Sequence, residues 1–341
     1  MSDHSIALDH VGTVEAAAHI VDGQLDDLLI DSDLPRPGTI YRAIADRPVK
    51  GQGGMFLRTP DGSAFLRQIK GLGPGQPRLV QVTGYAEPGK ALPVTTRLLF
   101  KSRYAIVTPD APGLNLSRGI KDEDLRDTLL EIAHDTLDGQ EVGLILRSAC
   151  AGADPDAIAE DIRAMRDLAL AVLADANGRD AEKLLDGDGP HALAWRDWVQ
   201  PAEITTDPGC FATLGVLDQM DMLQTTQVPL AGGGSYFVEP TRALVAVDVN
   251  TGGDASPAAG LKANLAMARD LPRQLRLRGL GGQITLDLSP MPKKDRRVFE
   301  TTLRAAFRKD PVETTLAGWS PLGHFELQRK RDRLPLTDIL K

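Results

Sequence analysis

Two apolar segments near the end of the chain, ALVAVDV at 243–249 and QITLDL at 283–288, are separated by a stretch with helical character. Ser256 and Pro257 predict the start of this helix, because serine caps helix N-termini and proline suits the first helical position. We expect the helix to run to about Arg278, with a kink or break at Pro272. A helix between two apolar strands favours a parallel strand pair in an α/β fold.

Each of these strands carries one aspartate near its carboxyl end, Asp248 in the first and Asp287 in the second. Burying an unpaired carboxylate in an apolar strand costs free energy, so both positions are expected to have a compensating partner. If the strands are neighbours, both aspartates reach the edge where open α/β sheets place their sites, and together they could bind a hard cation such as Mg²⁺. Asn250 points to the same side and could orient a carboxylate or a metal-bound water. The alternative is that both aspartates only cap the following helix or turn.

The remaining segments predict several domains. Residues 1–34 show short strands with a turn at VDGQ, and residues 38–96 show closely spaced short strands between Gly/Pro turns, which is typical of a small barrel. Mixed strand and helix patterns follow, with helices predicted at about 121–137 and from Pro155. Residues 193–234 have a poor pattern, although CFATLGVLDQMDML could be helical. SYFVEPTRALVAVDVN predicts a strand pair, and PKKDRRVFETTLRAAFRKD predicts a further helix.

The charge is unevenly distributed along the chain. The net charge of −8 argues against a nucleic-acid partner, but residues 42–118 hold twelve Lys/Arg against four Asp/Glu, and residues 269–333 hold fifteen against eight. The rest of the chain is therefore strongly acidic. One basic stretch is usually a solvated surface, whereas two basic blocks within an acidic protein favour binding of a polyanion.

Composition excludes several classes of protein. With 42% hydrophobic and 25% charged residues, the chain is expected to be globular rather than disordered. The first residues lack the features of a signal peptide and no apolar run could span a membrane, so a cytoplasmic location is expected. Cys150 and Cys210 form neither a disulfide framework nor a zinc motif and are predicted to be buried. The six histidines lack the spacing of a histidine metal site.

Three stretches of the C-terminal region carry a specific resemblance to a known family. RALVAVDVNTGGD, ANLAMARDLPRQLRLRGLGGQITLDLSPM and WSPLGHFELQRKR resemble the catalytic region of the ribonuclease E/G family, and PRQLRLRGLGG is the most specific piece. Weaker similarity covers nearly the whole chain, including GTIYRAIA, VTTRLLFKSRYAIVTPD, LSRGI and VGLILRSA.

The resemblance implies an α/β multidomain fold. Residues 37–96 resemble the family's OB-fold RNA-binding barrel, and residues 97–194 its mixed α/β 5′-phosphate sensor. Residues 1–36 and 195–235 resemble the two segments of its RNase-H-like part, and residues 236–341 its DNase-I-like catalytic part.

The resemblance also assigns candidate site residues. Asp248 and Asp287 take the places of the two metal-binding aspartates, and Asn250 that of the neighbouring asparagine. Arg147 and Ser148 fall where the family grips a 5′-monophosphate, a role that suits a guanidinium and a hydroxyl. The remaining candidates are expected to bind RNA. Phe56 and Phe65 would stack on bases, or else they belong to the barrel core. Four arginines would bind phosphates: Arg276, Arg278, Arg329 and Arg331.

Three departures from the family pattern qualify these expectations. The segment between Asn250 and GGD is short, so contacts from that loop are expected to be missing. The printed sequence lacks the family's CPxC motif, so a homo-oligomer is not expected to form through a cysteine zinc link. The barrel has few aromatic residues, which predicts weak binding of single strands.

The sequence hypothesis is a Mg²⁺-dependent endoribonuclease that cleaves single-stranded RNA to 5′-phosphate and 3′-hydroxyl products and favours 5′-monophosphorylated RNA. The main alternative is a non-catalytic RNA-binding protein on the same scaffold. A third hypothesis is a small-molecule phosphohydrolase, but this function would not explain the basic barrel.

Overall fold

The computed structural model describes residues 3–49, 51, 53–139, 141–254 and 256–340. The chain forms two compact units, one made of Met1–Ser32 with Ala202–Lys341 and the other of Asp33–Pro201. Among the helices of the described ranges, none is both long enough and apolar enough to cross a membrane.

The N-terminal segment forms two hairpins, which confirms the predicted short strands. Its antiparallel strands are β1 (His4–Val11), β2 (Val14–Val21) and β3 (Gln24–Ile30). The predicted VDGQ turn joins β2 to β3, with Asp22 at φ 51° and Gly23 at φ 76°. Positive φ at both central residues matches the right-handed twist of a hairpin, which explains the Asp-Gly pair.

A closed five-stranded barrel of the OB type confirms the prediction from the Gly/Pro-punctuated pattern. Its strands are β4 (Ile40–Val49), β5 (Gly54–Thr59), β6 (Gly62–Leu66), β7 (Pro77–Val82) and β8 (Leu92–Thr95). The pairings run β4–β5–β6–β8–β7, and β7 returns to β4 to close the barrel. Alternate residues of these strands, such as Leu57, Ala64 and Val80, fill the interior.

The unit Asp33–Pro201, which contains the barrel, also has a small mixed sheet packed against helices. The elements, in chain order, are β9 (Phe100–Lys101), β10 (Ala105–Thr108), β11 (Gly113–Leu116), α1 (Glu123–Leu137), β12 (Gly143–Leu146), α2 (Pro155–Ala174), β13 (Glu182–Leu185) and α3 (Pro190–Asp197). Both predicted helices are confirmed, with Asp122 and Asp154 accepting hydrogen bonds at their N-termini. Strand β13 pairs with β4, so it adds a sixth strand to the barrel sheet.

The chain then re-enters the first unit. Strand β14 (Glu203–Thr205) pairs in parallel with β1. Two short helices, α4 (Cys210–Thr213) and α5 (Val216–Leu223), lie within CFATLGVLDQMDML, where the sequence pattern left a helix open. Their apolar side chains pack on the N-terminal hairpins, with Phe211 and Val216 fully buried. Cys210 lies in this core and Cys150 in that of the other unit, so the predicted burial of both thiols is confirmed.

A six-stranded sheet organises the C-terminal region. Its elements, in chain order, are β15 (Gln227–Pro229), β16 (Ser235–Pro240), β17 (Val245–Asn250), α6 (Pro257–Leu277), β18 (Gly282–Asp287), α7 (Arg296–Lys309), β19 (Thr314–Trp319), β20 (Phe325–Arg329) and α8 (Leu336–Ile339). The strand order is β15-β16-β17-β18-β20-β19. The predicted parallel pair is β17 with β18, whereas the other described pairings of this sheet are antiparallel.

Of the predicted kink or break at Pro272, the break is wrong, because α6 continues across this residue to Leu277, and the kink stays a prediction. Proline removes one helical hydrogen bond, but Met267, Leu271 and Leu275 on the same helix are completely buried against the sheet. Tertiary packing of an apolar helix face supplies most helical stability and here outweighs the local cost.

Candidate active site

The two strand-end aspartates are direct neighbours. Asp248 ends the pairing of β17 with β18, and its partner in the parallel register is Asp287. Adjacent strands lie about 4.8 Å apart and partnered side chains leave the same face of the sheet. The fold therefore places both carboxylates side by side at the carboxyl end of the parallel pair.

Both carboxylates lie on an open face of the sheet, which corrects one premise of the sequence argument. Val245, Val247 and Val249 are buried on the side covered by α6 and α7, whereas Asp248 is exposed. Asp287 is likewise exposed, with 66% of its side chain accessible. Burial cost therefore does not explain these charges, because the alternation of the strand turns them toward solvent.

Each aspartate contacts one polar side chain. Asn250 donates from Nδ2 to Oδ2 of Asp248 at 2.8 Å, as its predicted orienting role requires. His324 lies with Nδ1 at 3.4 Å from Oδ1 of Asp287. In the described part of the chain, no lysine or arginine lies within ion-pair distance of either carboxylate. Neither carboxylate is therefore neutralised by a lysine or an arginine.

The donor set suits a cation that retains most of its water. Within the described residues, no three His, Cys, Asp or Glu side chains are grouped so that they could enclose an ion. Mg²⁺ is commonly held by one or two carboxylates together with several waters and substrate phosphates. Asp248 and Asp287 meet this requirement, whereas a structural zinc site would need four protein ligands.

Basic side chains follow the site along the chain. Lys293 and Lys294 are exposed in the short 3₁₀ turn Lys293–Asp295, six and seven residues after Asp287. Arg296 stacks its guanidinium over the Trp319 ring at 4.1 Å from the centroid. Exposed lysines that follow the second carboxylate closely along the chain suit a polyanionic ligand that brings its own phosphates.

Three of the arginines predicted to bind RNA are buried instead. Arg276 and Arg329 both bind the Asp310 carboxylate, which lies between them, and Arg329 also donates to Thr314 at 2.9 Å. Arg278 donates to the carbonyl oxygens of Leu223 and Thr225.

The exposed fraction is only 2–7% for each of these residues, Arg276, Arg278 and Arg329. Burial with protein acceptors argues against the predicted phosphate contacts, so we assign all three to the stability of the fold. Arg331 is half-buried beside Gly282, where a Cβ would meet its Nη2 at 2.3 Å. Its predicted role in RNA binding stays a prediction.

Arg147 and Ser148 lie where β12 turns into the 3₁₀ segment Ser148–Cys150. The Arg147 side chain is 23% exposed and donates to Asp197 Oδ1 at 2.6 Å and to the carbonyl oxygen of Ser102 at 2.6 Å. Ser148 is exposed. A phosphate at this position would therefore find the serine hydroxyl accessible and would share the Arg147 guanidinium with Asp197.

Phe56 and Phe65 form a cross-strand pair on the outside of the barrel. They are partners in the β5–β6 register, their ring centroids lie 5.2 Å apart, and both are half-buried. Arg47 covers Phe56 at 4.8 Å from the ring centroid. Neighbouring residues Met55 and Leu57 point inward, so the aromatic pair lies outside the barrel core, and its predicted role in base stacking stays a prediction.

The sequence missed His324 as part of the site. Spacing along the chain gives no sign of this contact, because His324 lies 37 residues after Asp287. The signal that could have found it is the strand register, because Leu286 pairs with Phe325 and the next position brings His324 opposite Asp287.

Comparison with known proteins identifies the family of the chain. The sequence model of the ribonuclease E/G family matches residues 100–204 and 196–332, and the chain belongs to this family. Ribonuclease G of Salmonella typhimurium is 26% identical over 389 residues, which cover 95% of this chain and 79% of the relative. Ribonuclease E of Synechocystis sp. is 26% identical over 384 residues, covering 95% of this chain and 56% of the relative. The chain thus spans about half the length of two ribonuclease E relatives, those of Synechocystis sp. and Nostoc sp..

Proposed function

We propose that this protein is an endoribonuclease that uses Mg²⁺ to cleave single-stranded RNA. The observation that carries the proposal is the parallel register of Asp248 with Asp287, which brings two exposed carboxylates together at one sheet edge. Membership of the ribonuclease E/G family and relatives named ribonuclease support the nuclease activity. The closed barrel with its external aromatic pair supports RNA as the ligand.

In this proposal, each residue of the site has a defined task. Asp248 and Asp287 would hold Mg²⁺, which when bound lowers the pKa of a coordinated water and offsets negative charge in the transition state. Asn250 fixes the orientation of Asp248 through its 2.8 Å hydrogen bond. Lys293 and Lys294 bind phosphates flanking the scissile bond.

The reaction is hydrolysis of one phosphodiester bond. The oxygen of water forms a bond to phosphorus, the bond from phosphorus to the 3′ oxygen breaks, and the 3′ oxygen takes up a proton. The products are a 5′-phosphate and a 3′-hydroxyl end. Two carboxylates with a cation suit this outcome, because the metal-assisted route does not need the ribose 2′-hydroxyl as the nucleophile.

The decisive experiment replaces one carboxylate without changing its size. Asp287→Asn keeps the shape and exposure of the side chain and removes the charge, so we expect Mg²⁺-dependent cleavage of single-stranded RNA to be lost. Circular dichroism and RNA binding should match the wild type. Asp218→Asn, which changes an exposed aspartate on α5, is the matched control and should cleave normally.

The result also separates the nuclease from a non-catalytic RNA-binding protein. Cleavage by the wild type that requires Mg²⁺ and stops with a chelator supports the nuclease. Tight RNA binding without cleavage by the wild type would favour the binding protein. Cleavage that persists in Asp287→Asn would refute the assignment of the site.

We further propose that Arg147 and Ser148 favour RNA with a 5′-monophosphate. The exposed Ser148 hydroxyl next to a guanidinium provides both hydrogen bonding and charge for a phosphate. Cleavage rates of matched 5′-monophosphorylated and 5′-triphosphorylated RNAs should differ for the wild type and become more alike for Ser148→Ala. Equal rates for the two RNAs with the wild type would exclude this role.

A further inference from the structure

We infer that His324 is a positioning residue, which holds the Asp287 carboxylate in the orientation that binds the cation. This inference rests on the proposed function of the site. Its starting point is the contact between His324 Nδ1 and Asp287 Oδ1 at 3.4 Å, which the spacing of the sequence did not suggest.

The sheet brings His324 to the site from the opposite direction to Asp248. Strand β18 lies between β17 on one side and β20 on the other. The antiparallel register pairs Leu286 with Phe325, so the next pair outward is Asp287 with His324. Leu286 and Phe325 are both buried, and their neighbours therefore share the open face. Asp287 thus has Asp248 on one flank and His324 on the other.

The main chain around His324 is fixed by a tight turn between β19 and β20. The Ser320 amide donates to the His324 carbonyl at 2.8 Å, the His324 amide donates to Ser320 Oγ at 3.2 Å, and the Gly323 amide donates to the Ser320 carbonyl at 3.0 Å. These bonds use main-chain groups of His324 and leave its imidazole out. Replacing the imidazole should therefore leave the turn intact.

Each carboxylate has one polar side chain beside it, at 2.8 Å for Asp248 and at 3.4 Å for Asp287. Asn250 engages one oxygen of Asp248, and His324 faces one oxygen of Asp287. Both aspartates are exposed on the open face. A carboxylate with one oxygen held has fewer orientations to lose when it binds a cation, and such partners of metal-binding groups strengthen binding.

His324 is assigned to Asp287 rather than to the cation itself. Across the described ranges, no group of three or more His, Cys, Asp or Glu side chains is arranged to hold a metal ion. The contact also joins His324 to one aspartate, and its side chain is 36% exposed. We therefore expect the imidazole to affect how well the site binds the cation, and to matter little once the cation is bound.

The test compares His324→Leu, His324→Gln and the wild type by titration with Mn²⁺ followed by electron paramagnetic resonance. Leucine removes the polar group, and we expect the affinity for Mn²⁺ to fall about 10- to 100-fold. Glutamine restores a side-chain donor and should recover most of the affinity. His134→Leu is the matched control, because His134 is an exposed histidine on α1 of the other unit, and it should bind Mn²⁺ normally.

Cleavage kinetics supply a second measurement. In His324→Leu, the Mg²⁺ concentration needed for half-maximal cleavage should rise by the same factor, while the rate at saturating Mg²⁺ stays within a few-fold of the wild type. An affinity that is unchanged or tighter in His324→Leu overturns the inference. Nitrogen coupling from the imidazole in the Mn²⁺ spectrum of the wild type also overturns it, because His324 would then bind the ion directly.

The outcomes distinguish this inference from the proposed function. If the wild type neither binds Mn²⁺ nor cleaves RNA, both fail together. A second outcome is that the wild type binds Mn²⁺ and cleaves RNA, Asp287→Asn loses both activities, and His324→Leu behaves like the wild type. In that case only the positioning role of His324 is refuted.

Discussion

The burial of Arg329 leads to a prediction about stability that contradicts its predicted role in RNA binding. The side chains of Arg329 and Asp310 are each 1% exposed, and Nη1 of Arg329 lies 2.6 Å from Oδ2 of Asp310. Arg276 binds the other oxygen of the same carboxylate. Burial lowers the pKa of the Arg329 guanidinium, and the Asp310 charge counteracts this effect. One carboxylate therefore stabilises two buried cations.

We expect Asp310→Asn to destabilise the protein strongly. The amide keeps the size of the side chain, but it leaves the buried Arg329 guanidinium without its counter-charge, while Arg276 keeps Asp26 and Asp27 as partners. Removing one partner from a buried ion pair costs about 3–5 kcal/mol. For a unit of this size, each kcal/mol lowers the melting temperature by about 2–4 °C, so the drop should be about 10 °C.

Urea unfolding and differential scanning calorimetry measure this change, with Asp218→Asn as the exposed control. The control should change the free energy of unfolding by less than about 0.5 kcal/mol. Arg329→Met should also destabilise, and the affinity of its folded form for single-stranded RNA should equal that of the wild type. Our reasoning is wrong if Asp310→Asn unfolds like the control, or if Arg329→Met loses RNA affinity at unchanged stability.

Three further predictions follow from buried groups and close packing. Burial raises the pKa of the Asp27 carboxyl, but the charge and hydrogen bond of Arg333 outweigh it and hold the pKa below its ordinary value. The stabilisation from Asp27 should thus be present above about pH 4 and be lost as the pH falls through the lowered pKa. In acid unfolding, the free energy of unfolding of Asp27→Asn should therefore depend less on pH than that of the wild type. Burial raises the pKa of the Cys150 thiol to about 11, so iodoacetamide should label it at pH 8 only after unfolding in urea, and rapid labelling of the native protein would contradict its burial. A Cβ at Gly143 would lie 1.8 Å from the carbonyl oxygen of Ala111, so Gly143→Ala should lower the melting temperature by several degrees, and an unchanged value would show that this contact relaxes freely.

Local sequence patterns predicted most of the secondary structure that positions the site. The apolar runs around Asp248 and Asp287, with a capped helix between them, indicated a parallel pair, and the register confirms it. Gly/Pro punctuation with short strands indicated the barrel, which closes through β4 and β7. These features depend on neighbours within a few residues, so they can be read without knowing the rest of the fold.

Local patterns misled where the partner lies elsewhere in the chain. Pro272 was expected to interrupt α6, but packing of that helix on the sheet keeps it continuous. Asp248 and Asp287 were expected to be buried, but the sheet is covered by helices on the other face.

By itself, the sequence indicated the two aspartates of the proposed site, because charges at strand ends and strand spacing are local properties. Only the tertiary structure decided which charges are available to a ligand. Arg276 donates a hydrogen bond to Asp26, which lies 250 residues away along the chain. His324 contacts Asp287 because β18 pairs with β20. A guanidinium near a strand looks the same in sequence whether it is solvated or neutralised, because its free energy depends on burial and on partners that folding brings together.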